Sequence, residues 1–418
     1  MYWIYNILIV LLAPVWVPWM WLRARKRKEQ PNWKERQGAI EIPARKDGKR
    51  IWFHAVSVGE VMASMPILRE IRTRLPEHEI VLSVTTSSGH QTAREKADGL
   101  FDHLIYMPID VSRFQLEAMR RVRPSVVVVM ETELWFNFLW AAKVFDAKTL
   151  LVNGRISDRA FPRSKKIAFF YKALLKEMDR CLMQTQTDAD RIKELGGQNV
   201  EVFGNSKFDQ AVEGLDADPV AWRKELGLAE DKLTLVIGST RGQEEEDFVL
   251  DAMQKVGLDR IQVIHAPRHL ETVPGLSENV ARRFGTTALR SKSETGPYLI
   301  LDSYGELSQV YSVADIVIVG GGFSNLGGQN IIQPLAHGKP VIHGPHMQNF
   351  RDVSDAARYF QATMESRTPD ELAEGLEKLI ESPELRELMA DQARKLVQGS
   401  LGASARYGEA IALAANKT

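Results

Sequence analysis

A single cysteine, Cys181, stands among the 418 residues, which excludes an internal disulfide and a cysteine-based zinc cluster. It reads as a buried filler in a short strand. Neither charge is in excess, with Lys+Arg and Asp+Glu both at 54, so the cationic footprint of a nucleic-acid binder is missing and no nucleic-acid partner is expected. Histidine is scarce as well. His265 and His269 are four apart, but Pro267 between them opposes a continuous helix, and no metal site is expected. Long apolar runs are absent except at one place.

That place is Tyr2 to Leu22, an almost wholly apolar run broken by Asn6, Pro14 and Pro18. At ~1.5 Å per residue it is long enough for a bilayer core of roughly 30 Å. Arg23, Arg25, Lys26, Arg27 and Lys28 follow it, and the positive-inside rule holds such a cluster, with the body of the chain, on the cytoplasmic side. The basic charges follow the apolar run and no small-residue cleavage site is evident, which disfavours a cleaved signal peptide. A membrane anchor over residues 1–28 is expected, with a kinked interfacial helix as the other option; Trp16, Trp19 and Trp21 suit both. Its distance in sequence from every site motif predicts that the anchor is dispensable for chemistry.

The length suggests two domains. From Arg50 onward, strand and helix patterns alternate, as in a parallel sheet covered on both faces. Strands are expected at Ile51–Val56, Ile80–Thr85, Leu104–Met107, Val126–Met130, Leu150–Asn153 and Cys181–Gln184. After a polar pause between Phe203 and about Pro219 they resume at Leu233–Gly238, Gln262–His265, Leu299–Leu301, Ile316–Val319 and Val341–His343. This gives two doubly wound domains, residues 29–209 and 210–400, with 401–418 as a final helix. Their carboxyl edges would line a cleft.

Each domain carries candidate chemistry at its strand ends. In the first, His54-Ala-Val-Ser57-Val-Gly59-Glu60 ends a strand in a glycine turn. Glu60 suits the dipole of the helix it opens, and a carboxylate there could also take a proton from a hydroxyl. His54 reads as a satisfied core residue. Glu131 and Glu133 follow another strand end and would share a face if that strand ran on; Arg155 follows a third and is a plausible anion contact. In the stretch Arg159 to Lys172, the cations Arg163, Lys165 and Lys166 alternate with aromatics, which suits a surface touching anionic headgroups.

In the second domain Ser239, Thr240 and Arg241 follow a strand, the first two as helix caps or phosphate contacts. Arg268 is a fixed charge for an anion. The run Ile316 to Pro345 supplies Gly321, Gly322, Gly327, Gly328, Asn330 and Gln333 around a predicted helix start, where free N–H groups would suit a phosphate without a metal.

Taken together, His54–Glu60, Glu131–Trp135, Gly204-Asn-Ser-Lys-Phe-Asp209, Gly238–Arg241, Ala266–His269 and Gly327–Asn330 with Gly344-Pro-His346 and Asn349-Phe350 closely resemble the Kdo (3-deoxy-D-manno-oct-2-ulosonic acid) transferases of lipopolysaccharide synthesis. The resemblance runs in order along nearly the whole chain. It implies a GT-B fold, an N-terminal acceptor-binding domain, a C-terminal CMP-Kdo-binding domain and a last helix, Ala403 to Asn416, crossing back to the first. It implies metal-independent, inverting transfer from CMP-Kdo to a tetraacylated disaccharide lipid A precursor at the inner membrane, with no cofactor. Glu60 matches the catalytic base; Ser57, Gly59, Glu131, Glu133 and Arg155 lie on the acceptor side, and Arg268, the Ser239–Thr240 turn and the Gly327–Asn330 loop on the donor side. The chain departs from the family at Gln329, Gln333 and Phe136, where histidine, glutamate and proline are usual; Gln333 lacks the charge a carboxylate would offer ribose hydroxyls. The alternatives are another GT-B nucleotide-sugar enzyme, such as an epimerase, and a non-catalytic membrane adaptor with a decayed nucleotide site.

Overall fold

The computed structural model describes residues 1–26, 32–44, 47, 49–212 and 215–416. The chain divides into two compact units, one of Met1–Gln210 with Leu401–Thr418 and the other of Ala211–Ser400.

The first unit holds β1 (Arg50–Ala55), β2 (Glu79–Val84), β3 (His103–Tyr106), β4 (Val126–Met130), β5 (Lys148–Gly154), β6 (Arg180–Met183) and β7 (Val200–Val202). All are parallel, in the order β3-β2-β1-β4-β5-β6-β7. Every residue of β1 and β4 is buried, as strands covered on both faces must be, and this is why they read as unbroken apolar runs. The helix Ala403–Ala415 belongs to this unit and lies on the helix Val58–Arg74, so close that a Cβ on Gly408 would come within 2.4 Å of the Glu70 side chain.

The second unit repeats the plan. Its strands β8 (Leu233–Thr240), β9 (Ile261–Pro267), β10 (Ala288–Leu289), β11 (Tyr298–Ile300), β12 (Ile316–Val319), β13 (Val341–His343) and β14 (Thr363–Glu365) are parallel in the order β10-β11-β9-β8-β12-β13-β14. In both sheets the first strand is central and the winding reverses beside it, between β1 and β4 and between β8 and β12. Open α/β sheets bind ligands at the carboxyl ends of such a pair.

The apolar N-terminal run is not the single segment expected. Among the described residues no one helix is long and apolar enough to cross a membrane; Tyr2–Leu11 and Ala13–Leu22 meet that measure only as a pair bent by 64°. Pro14 explains the break, because it lacks an N–H and disfavours helical geometry in the residue before it, yet is tolerated in a first turn. The indole of Trp16 donates to the carbonyl of Ile9 across the bend, at 2.9 Å. Arg27 and Lys28 of the basic flank lie outside the described residues.

Nor is the first helix separate from the site motifs, as its distance in sequence suggested. The Tyr2 ring packs on Trp140 at 4.2 Å, and Tyr5 lies between Phe136 and Phe170. The Tyr5 hydroxyl donates to Asp110 at 2.7 Å. Asn6 and Asn137 exchange amide hydrogen bonds at 2.9 and 3.0 Å. The expected dispensability of this segment therefore loses its ground.

Candidate active site

At the switch point of the first unit, β1 ends and Ser57 precedes the helix Val58–Arg74, which places Glu60 in the first turn. Its carboxylate accepts the Val56 N–H at 2.9 Å and the Ser57 hydroxyl at 3.2 Å. Burial, and then the neighbouring Glu131 carboxylate, push Glu60 up to about 8, against the weaker opposing effect of the Val56 bond. Gly59 is exposed, and a Cβ there would meet open space.

Glu131 and Glu133 are brought beside Glu60, but not by a continuing strand. β4 stops at Met130, and Glu131 takes a left-handed conformation at φ 52°, which turns the chain. Trp135 donates to Glu133 at 3.0 Å, and burial raises the Glu133 carboxyl above the usual range. Arg155 is half-buried, with its N–H on the Glu131 carbonyl at 3.4 Å.

Lys207 is a member of this group that was not singled out as a site residue in the sequence. Its ammonium pairs with Glu131 at 2.7 Å. The stretch Gly204–Asp209 is now accounted for. Ser206 is buried and bonded to Asn153 and Ala63. Asp209 accepts the Gly402 and Ser404 N–H groups, each at 2.7 Å, and so caps the last helix. The placement of a lysine inside an otherwise structural motif was the available signal. His54 is buried as expected, but only half satisfied: Nδ1 bonds Ser83 at 2.8 Å, while Nε2 has no hydrogen-bond partner among the described residues. Burial lowers it to about 4, so it is neutral.

At the matching point of the second unit several expectations change. Ser239 and Thr240 do not cap the helix Gln243–Val256; β8 runs on through Thr240, and Gly242 is the N-cap. Thr240 is buried and bonds His265 at 2.9 Å, with Tyr298 on the other ring nitrogen at 2.8 Å, which makes His265 a core residue. Ser239 is strained at φ 60° and half-buried. Arg268 is exposed at the end of β9, and its N–H bonds the Thr240 carbonyl at 2.9 Å.

Glu245, which no sequence pattern marks out, is fully buried. It accepts N–H bonds from Arg241 at 2.7 Å, Gly321 at 2.6 Å and Phe323 at 3.0 Å. In the turn expected to admit a close ligand approach, the Gly321 and Phe323 amides are thus taken by a side chain of the same unit. Packing explains the glycines: a Cβ on Gly344 would stand 2.1 Å from the Gly322 carbonyl oxygen, one on Gly327 would strike Asn349, and one on Gly328 would strike Met347. The helix expected after this loop is one short piece, Ile332–Ala336. The Asn330 side chain caps it by accepting the Ile332 N–H at 2.9 Å, and Gln333, half-buried, lies in its first turn.

In the helix Phe161–Lys166, Arg163 and Lys166 are exposed as expected. Lys165 is exposed too, but it is paired with Glu194 and lies over the Phe161 ring. Among the described residues no group of three or more His, Cys, Asp or Glu side chains is arranged to hold a metal.

Residues 31–210 match the family model described as 3-deoxy-D-manno-octulosonic-acid transferase (kdotransferase). The chain is 30% identical to a 3-deoxy-D-manno-octulosonic acid transferase of Bordetella pertussis over 98% of each chain. It is 33% identical to a bifunctional glycosyltransferase/methyltransferase of Fusobacterium nucleatum over 84% of its own residues, but spans only 54% of that relative's length. A crystal structure of a glycosyltransferase from Rickettsia africae ESF-5 superposes with a TM-score of 0.62 at 12% identity, covering 89% of this chain and 100% of that one, and marks the architecture as GT-B-like. With relatives aligned along its full length and the two switch points built as above, the chain belongs to the 3-deoxy-D-manno-octulosonic acid transferase family of glycosyltransferases.

Proposed function

We propose that the chain moves Kdo from CMP-Kdo to a hydroxyl of a tetraacylated disaccharide lipid A precursor, with inversion and without a metal, and that Glu60 is the general base. The observation that carries this reading is the environment of Glu60, a carboxyl raised to about 8 at a switch point beside the Glu131 carboxylate, which pairs with Lys207. A group titrating near neutral pH suits proton removal from a hydroxyl. The hydroxyl gives its proton to Glu60 as its oxygen attacks the anomeric carbon. The bond from that carbon to the CMP phosphate oxygen breaks on the opposite face, and CMP leaves with the electron pair. Arg268, with Arg241 and Ser239 at the neighbouring strand end, is assigned to the charge that develops on CMP. The first unit thus takes the acceptor and the second the donor.

The bent N-terminal pair presents Trp3, Ile4, Ile7, Leu11 and Trp19 to the outside, and Arg163 and Lys166 are exposed cations. This supports seating at the cytoplasmic face of the inner membrane, and the 64° bend favours an interfacial seat over a straight crossing. The deciding experiment is transfer of radiolabelled Kdo from CMP-Kdo to the lipid A precursor by the full chain, with chelator present. Labelled lipid is the expected product; free Kdo only, or an altered donor sugar, would sink the reading.

A further inference from the structure

The first unit contains a buried polar cluster that the chemistry above leaves unused, and it lies under the N-terminal helix Tyr2–Leu11. Asp110 is 6% exposed. It accepts the Phe138 N–H at 2.9 Å, the Asn137 N–H at 3.2 Å and the Tyr5 hydroxyl at 2.7 Å. Trp135, at the N-cap position of the helix Phe136–Val144, offers no side-chain cap. Asp110 therefore caps that helix from a distant loop. Asn137 is fully buried; besides the reciprocal amide pair with Asn6, its Nδ2 donates to the Asp110 carbonyl at 2.7 Å. The Tyr5 ring is held against Phe136 and Phe170.

A helix that served only to keep the chain near lipid would have no use for this lock, and an amide within an apolar run weakens its partition into lipid. The helix that is locked begins directly after Glu131, Glu133 and Trp135, and the Trp135 indole holds Glu133. Three residues therefore separate Asn137 of the Asn6–Asn137 pair from Glu133, and five separate it from Glu131, the carboxylates beside Glu60. We propose that Tyr5 and Asn6 are positioning residues for this carboxylate loop, so that the docked N-terminal helix sets the acceptor-side geometry instead of merely tethering the chain. This rests on the reading of Glu60, Glu131 and Glu133 as the acceptor-side carboxylates.

The test uses the full chain, wild type and with Tyr5→Phe or Asn6→Leu. Tyr5→Phe removes one oxygen and keeps the ring contacts, so it stays informative if Asn6→Leu fails to fold. Each variant is expected to lower kcat several-fold on detergent-dispersed acceptor, to leave the KM for CMP-Kdo unchanged, and to speed deuterium exchange of the backbone amides from Glu131 to Phe138. Flotation with phosphatidylethanolamine/phosphatidylglycerol vesicles should remain at the wild-type level, and Asn6→Gln should recover part of kcat. Faster exchange with unchanged kcat would make the lock a structural brace and overturn the proposal. Lost flotation with unchanged kcat in detergent would make it a tether and also overturn it. If the wild type transfers no Kdo, the functional reading is what fails; unchanged exchange from Glu131 to Glu133 in the variants would separately overturn the positioning role.

Discussion

Glu60 and Glu245 occupy the same place in two sheets of the same central strand order. Each stands in the first turn of the helix that follows the first strand of its unit, and each accepts the N–H of the residue four before it, Val56 or Arg241. From there they part. Glu245 is sealed among three N–H donors, two of them from the turn after β12, and ties two strand ends together. Glu60 has one such donor and the Ser57 hydroxyl, and it faces Glu131 and Glu133. At one position, therefore, a carboxylate ties the backbone of two strand ends together in one unit, while in the other burial and a neighbouring carboxylate raise it to about 8.

The sharpest way to break this contrast is Glu60→Gln, which keeps the shape and removes the basicity. It should lower kcat by roughly 10²-fold or more while leaving CMP-Kdo affinity intact. Steady-state kinetics with saturating donor measure it. Should Glu60→Gln keep most of its kcat while Glu131→Gln or Glu133→Gln does not, the base belongs to that pair.

Glu245→Gln should do the reverse. The new amide turns an NH2 toward backbone N–H groups, and leaving one of these buried donors unpaired costs about 1–3 kcal/mol. The expected outcome is a lower Tm of the second unit and weaker CMP-Kdo binding. A rise in Tm would show that Glu245 also bears strain, and the contrast would collapse.

The pH dependence sharpens the comparison from the Glu60 side. Its carboxyl is raised in the folded chain to about 8, so between its unfolded value and 8 the unfolded state has released a proton that the folded state still holds. Stability therefore falls as pH rises through that window and levels off above it. The ionised base accumulates over the upper end of the same window, so kcat/KM should climb with pH to about 8 as stability declines. In Glu60→Gln both slopes should shrink, and at pH 7.5 its Tm should exceed that of the wild type; thermal melts across pH read this directly.

Much of this was legible in the sequence because the central strands are buried on both faces and spell apolar runs. Val126–Met130 and Ile316–Val319 were placed to the residue. The edge strands Val200–Val202, Ala288–Leu289 and Thr363–Glu365 were missed, since most of their residues are partly exposed and carry no such run. Glu60 was visible from its position after a strand, but Glu245 at the same position was not, because what distinguishes it is the turn holding Gly321 and Phe323, far away in the chain. The glycines after β12 signal close approach, and one approaching group is the chain's own backbone at Gly344, which no local pattern in the sequence shows. The N-terminal run showed its apolarity plainly, whereas its docking depends on Asp110 and Asn137, which no local pattern joins to Tyr5 and Asn6.

The smallest expected effect concerns glycine itself. In the second unit Gly344→Ala would drive a methyl to within 2.1 Å of the Gly322 carbonyl oxygen and 2.3 Å of the Phe323 nitrogen, which only backbone movement could relieve. In the first unit a methyl at Gly59 meets nothing within 4 Å, and alanine is the better helix former by up to ~1 kcal/mol. The fold thus gives no reason for glycine at 59, in the first turn beside the proposed base. If the reason is the approach of the acceptor, Gly59→Ala should hold or slightly raise Tm, leave the KM for CMP-Kdo alone and raise the KM for acceptor several-fold. An unchanged acceptor KM would remove Gly59 from the acceptor side and leave the difference between the two units to their carboxylates alone.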